Sequence, residues 1–108
     1  MRAGDLRHRV TLQRSVTTRD AYGGEVESWQ PVATVWAAVE PLSGREFFAA
    51  SQVNAEVTGR IRIRYRPGVK PTMRAVLGER VFEILAVIDP QERHEELQLM
   101  VKEVLADG

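Results

Sequence analysis

Four arginines recur at every second position: Arg60, Arg62, Arg64 and Arg66. On a β-strand, period two places all four on one face, about 6.5–7 Å apart, a cationic ladder roughly 20 Å long. The chemistry open to such a ladder is ion pairing. It can face carboxylates of the same chain, such as Glu83, Glu96 or Glu103. It can face carboxylates of a neighbouring copy, or the phosphates of a nucleic acid. Residues 58–80 hold seven cations against Glu79 alone, whereas residues 81–108 hold Arg93 and Lys102 against seven acids. The chain is neutral overall and dipolar along its length. Thirteen of its fifteen cations are arginine, the residue of fixed, bidentate pairing. That complement favours pairing within or between copies over wholesale coating of nucleic acid. Only Tyr65 lies near the ladder, on the opposite face, so base stacking has little support. Pairing within the chain and pairing between copies both stay open; for the second, the candidate subunit-contact residues are Arg60, Arg62, Arg64 and Arg66 against Glu92, Glu95, Glu96 and Glu103.

Other reactive groupings are weak. His94-Glu95-Glu96-Leu97-Gln98 opens like a zinc-protease helix, but glutamine stands where the second histidine must be. Glu25/Glu27 and Glu95/Glu96 could move protons only inside a cleft, and their neighbours are hydrophilic. There is no cysteine, no Gly-x-Ser-x-Gly elbow and no phosphate-binding loop. The sequence argues against an enzyme, and no catalytic, cofactor or metal residue is expected.

The elements that would carry these residues are mostly strands. The 108 residues amount to one domain, 1–108, with 44% hydrophobic and 28% charged residues. No apolar run is long enough to span a membrane, and the basic start lacks the apolar stretch of a signal peptide. Leu6–Gln13 alternates, with Leu6, His8, Val10 and Leu12 on one face, and reads as a strand. Val26–Val39 is a second strand, in which Pro31 marks an edge or a break. Asp20 and the pair Gly23-Gly24 punctuate the connection, so a hairpin with a mobile tip at about 16–25 is expected.

Ser43 and Glu46 fit a capping box ahead of Phe47 and Phe48. The apolar stripe that follows is imperfect, and the helix is expected to depend on a partner. Val57–Arg66, Met73–Leu77 and Arg80–Ile88 read as strands, the last apolar on both faces and therefore central. Glu96–Val104 fits either period, and the regular spacing of strands favours a closing strand. The expected fold is mainly β: a small single-domain β-barrel with a long internal loop, about 41–56, that has room for one short helix. Arg45, Glu46, Phe47 and Phe48 are candidate anchors in that loop, with Phe47 and Phe48 as plain caps on the barrel as the simpler reading.

The sequence also resembles a known family, the head–tail joining (head-closure, adaptor or stopper) proteins of long-tailed bacteriophages. The resemblance spans about residues 2–103. It is carried by Gly4–Val10, Asp20–Gly24, Trp29, Val35–Ala37 and Pro41–Glu46, then by Arg60–Val69, Met73-Arg74, Arg80–Ile84 and Asp89-Pro90. Gly59 and Met100-Val101 depart mildly from the family's pattern. The resemblance implies a virion protein forming a ring, commonly of twelve copies, at the head–tail connector. A portal or adaptor ring would sit above it, a tail terminator or tail tube below, and genomic DNA would pass through the lumen. It also implies that loop 41–56 reorders on assembly and helps to gate the channel. A nucleic-acid-binding barrel and a tail-completion or terminator protein are the alternatives. No cofactor and no membrane are implied.

Overall fold

The computed structural model describes residues 3–104. Leu105 and the rest of the C-terminus, like Met1 and Arg2, lie outside the described residues. Six strands and one helix follow one another: β1 (His8–Arg19), β2 (Glu25–Pro41), α1 (Gly44–Val53), β3 (Gly59–Arg64), β4 (Arg74–Leu77), β5 (Arg80–Ile88) and β6 (Glu96–Val104). Short 3-10 turns stand at Ala3–Asp5 and Pro90–Glu92. All pairings are antiparallel, in the order β1-β2-β3-β6-β5-β4, and β4 pairs back onto β1 through Thr11–Gln13, so the ladder closes.

Alternation builds the interior. Val10 and Leu12 from β1, Ile61 and Ile63 from β3, Ala75 from β4, Ile84 from β5, and Leu97, Leu99 and Val101 from β6 point inward and are buried. No polar or charged residue among those described is buried with them. Burying each large aliphatic side chain contributes about 1.5–3 kcal/mol, and most of the stabilising apolar burial is concentrated here.

Two irregularities explain patterns that alternation alone could not. Leu12 pairs with Ala33 but Gln13 pairs with Pro31, leaving Val32 as an extra residue in β2. Pro31 has no N–H to give the ladder, and a bulge is where a strand tolerates it. In β5, Ile84 pairs with Val101 and Ala86 with Met100, so Leu85 is extra. The faces switch there: Phe82 and Ile84 point inward before the bulge, and Val87, opposite buried Leu99, points inward after it. Leu85, Ala86 and Ile88 are left on the outside. The strand is apolar on both faces because it carries a bulge, as well as because it lies between β4 and β6.

Three expected boundaries are corrected. The hairpin tip is not a loop over 16–25: Val16–Arg19 pair in register with Glu25–Ser28, and only residues 20–24 turn. Asp20 makes so short a turn possible, its Oδ1 accepting from the N–H groups of Tyr22 and Gly24, both at 2.8 Å, while Gly23 adopts φ +80°. Pro41 belongs to β2, so the internal loop opens at Leu42. β3 ends at Arg64, which takes Arg66 off the strand. The final segment, open to either period in sequence, is strand β6.

Candidate functional site

The charged cluster forms where β2, β3 and the start of α1 meet. Register places Glu40 directly opposite Arg60. The Glu40 carboxylate accepts two hydrogen bonds from Arg62, Nε to Oε1 at 3.0 Å and Nη2 to Oε2 at 2.9 Å. It accepts a third from Arg60 Nε at 3.2 Å. Arg60 Nη1 also reaches Glu46 Oε2 at 2.6 Å. Such forked, charge-assisted bonds are the strong kind. They hold the Glu40 carboxyl below its usual range: the hydrogen bond from Arg62 is the largest cause, opposed by burial.

Gly59 eases the close approach of β2 and β3 here, since a Cβ there would lie a tight 3.0 Å from the Glu40 carbonyl oxygen. Glu96, on the far side of β3, lies 3.9 Å from Arg62 Nη1, and its Oε2 is buried without a hydrogen bond.

Glu46 has two tasks. Its Oε1 accepts from the Ser43 N–H at 3.2 Å, while the Ser43 hydroxyl accepts from the Glu46 N–H at 3.3 Å. The capping box is present as the sequence requires. Arg60 first, then the Ser43 backbone and hydroxyl, hold the Glu46 carboxyl down to about 2. No residue of α1 is buried. Beneath it lies a groove of about 440 Å³, lined on the helix side by Ala49, Ala50 and Val53 and on the sheet side by Leu85, Ala86, Ile88 and Met100. Three of the four sheet-side residues, Leu85, Ala86 and Ile88, are those that the β5 bulge turned outward; Met100 comes from β6.

The remaining candidates are dispersed. Arg64 is exposed and Arg66 half-buried, and neither makes an ion pair among the described residues. Glu103 turns away from the ladder and holds Arg80 in a fork of 2.9 and 3.0 Å. That pairing, led by the Arg80 hydrogen bond, lowers the Glu103 carboxyl. Glu83 lies on β5, two strands from β3.

Glu92 and Glu95 are exposed on the turn between β5 and β6. Gln91, Glu92 and His94 adopt left-handed φ of 55–56° there, and Asp89 pins the turn through Nδ1 of His94 at 2.7 Å. Phe47 and Phe48 are 44% and 72% exposed, so neither caps the interior. Arg45 is exposed on the first turn of α1.

Sequence reasoning missed Glu40, the hub of the cluster. Its signal was a carboxylate one residue before the Pro41 that ends β2, but only the β2–β3 register makes it the neighbour of Arg60.

The fold and the site together define a class: a small protein of one closed antiparallel sheet whose charged cluster clamps its own strands. The particular assignment comes from comparison. The sequence matches the family described as phage head completion protein over residues 1–104, and the chain belongs to that family. It is 33% identical over 92 residues to head completion protein gp7 of Enterobacteria phage HK97, covering 83% of this chain and 82% of that one. Among solved structures it is similar to protein SF1141 from Shigella flexneri 2a, with a TM-score of 0.73 and 31% identity over 95% of this chain and 96% of the other. It is also similar to a chain of the virion of native gene transfer agent particle, with a TM-score of 0.62 and 28% identity over 94% and 97%. The protein is a structural component of the virion with a role in head completion, and not an enzyme.

Proposed function

We propose that the closed sheet is a small barrel that assembles as a ring at the head–tail connector. The ring closes the DNA-filled head and presents the docking surface for the tail. The observation that carries this reading is α1. A ten-residue helix with a complete capping box and no buried residue, standing over an apolar groove, has its proper packing partner outside the chain. The Arg60–Glu46 pair tethers it to the sheet. Residues 42–56 keep their capped helix but dock loosely in the free chain, and order against a neighbouring subunit or the adaptor, through Arg45, Phe47 and Phe48. The entropy cost of that ordering keeps the free protein from assembling alone.

Arg64 and Arg66, with Glu92 and Glu95, supply the subunit contacts that the dipolar charge pattern suggests. Arg60 and Arg62 already have carboxylate partners within the chain. Half of the ladder is thereby neutralised, which weakens the case for binding nucleic acid through it.

The test is the mass of the protein alone and with the portal–adaptor complex from the same genome, with and without DNA. The expected result is a monomer that joins a large ring only on the complex. A chain that ignores the complex and shifts onto DNA, with affinity falling steeply with salt, would replace this reading with the nucleic-acid one.

A further inference from the structure

The hairpin of β1 and β2 outruns the closed ladder. β4 pairs with β1 only through Thr11–Gln13, and β3 pairs with β2 only from Ala37 onward. Arg14–Arg19 and Glu25–Gln30 therefore pair with each other alone, as a two-stranded arm, and the molecule is 48 Å long against 28 and 27 Å across. Both outer edges of the arm offer unpaired backbone donors and acceptors. An isolated two-stranded ribbon is marginal in water, and an open edge is a template for another strand. Pro31 and the Val32 bulge blunt the base of the β2 edge, while Glu25–Gln30 contains neither a proline nor a bulge.

The two edges carry opposite charge. The β1 edge has Arg14 and Arg19 and no acid; the β2 edge has Glu25 and Glu27 and no base. Among the described residues, none of Arg14, Arg19, Glu25 or Glu27 makes an ion pair. Register sharpens this. Arg19 stands opposite Glu25, and Thr17 opposite Glu27, so Arg19, Glu25 and Glu27 share one face. A second copy that laid its β1 antiparallel along β2 would continue the alternation β1-β2-β1-β2. Its Arg19 would then stand beside Glu25, or beside Glu27 after a two-residue slip. A one-residue slip would put the charges on opposite faces. Pairing β1 with β1 would set arginine against arginine, and β2 with β2 glutamate against glutamate, which opposes either symmetric contact.

We propose that the acidic β2 edge of one arm pairs with the basic β1 edge of the next copy's arm. The contact is head-to-tail, uses two different surfaces of each copy, and propagates into a ring when the rotation closes. The arm contact rests on the ring reading above and names a strand-to-strand joint within it.

The chain has no cysteine, so engineered thiols report without background. Thr18→Cys protein would be mixed with Val26→Cys or Ser28→Cys protein, covering both registers, then assembled on the portal–adaptor complex and oxidised. The expected result is a disulfide between unlike variants and none between copies of the same variant. Charge reversal gives a second readout. Glu25→Arg with Glu27→Arg should cut ring incorporation at least tenfold while leaving the melting temperature of the monomer unchanged. Adding Arg14→Glu with Arg19→Glu to the same chain should restore it. Rings that form without the mixed disulfide, or with disulfides between like variants, overturn the arm contact and leave the ring standing. A chain that stays monomeric on the complex overturns both.

Discussion

The closed ladder and the arm are made of the same two strands, yet they follow different rules. Within the ladder, Val10 and Leu12 of β1 are fully buried, and each strand has two neighbours. A few residues further on, Val16 and Trp29 are the only half-buried residues of the arm, the rest are exposed, and each strand has one neighbour. Helix α1 behaves like the arm: regular backbone, good capping and nothing buried. One part of the molecule is stabilised by its own interior. The other two are shaped in advance by local chemistry, the Asp20 turn and the Ser43–Glu46 box, and leave their faces open. Stability thus resides in the closed ladder, and on the proposed ring reading assembly resides in the arm and the helix, so the two can be broken separately.

The largest separation should come from Leu99→Ala set beside Tyr22→Ala. Leu99 is fully buried, and removing it should cost about 2–5 kcal/mol in denaturant unfolding. Tyr22 is 97% exposed at the arm's tip, and its loss should move stability by less than about 0.5 kcal/mol. A Tyr22 cost comparable to that of Leu99 would mean that the arm folds back on the body.

Glu40→Ala tests the boundary between the two regimes. It strips partners from Arg60 and Arg62, both partly buried, and should cost about 1–2 kcal/mol, between the values for surface and buried charge-assisted bonds. Arg62→Ala should cost about the same, and the double variant should cost less than the two added, since they remove one interaction. Additive losses would show that the fork contributes nothing as a unit.

The smallest effect belongs to the helix. Glu46 has its carboxyl lowered from the usual 4.5 to about 2 by Arg60 and the Ser43 cap. A lowered folded value means that the interaction is complete above about 4.5 and is lost as pH falls through the folded value. Amide protection in Gly44–Val53, taken relative to the exchange of an unstructured peptide at the same pH, should therefore fall between pH 4.5 and 2 in the wild type, ahead of global unfolding. In Glu46→Gln that protection should already be low at neutral pH and vary little across the window. Exchange that tracks the core strands at every pH would mean that α1 is packed more firmly than its exposure implies.

Much of this was legible in one dimension. Period two in His8–Gln13 and Arg60–Arg64 identifies strands because a pleated chain must alternate its side chains, although Leu6 and Arg7 precede β1. Ser43 with Glu46, and Asp20 ahead of Gly23-Gly24, announce a cap and a turn because their partners lie within four residues. Local hydrogen bonds of this kind are readable wherever the residue types and the spacing agree. The Arg60–Glu46 pair, by contrast, spans 14 positions, and the Arg62–Glu40 fork 22. Contacts at that separation depend on strand register, which two bulges shift by one residue each. Period alone could not tell that β5 turns Leu85, Ala86 and Ile88 outward, or that β6 is a strand, because an apolar run reads alike in either case.

The sequence by itself determined the alternating strands β1 and β3, the turn, the helix cap and the arginine alternation, since each is set by neighbours within a few residues. Only the tertiary structure decided that Glu40 is the hub of the charged cluster, that Glu103 belongs to Arg80, and that the first hairpin outruns the sheet. Those outcomes follow from which strands lie side by side and in what register, and pairing between strands distant in sequence is decided by the closure of the whole ladder.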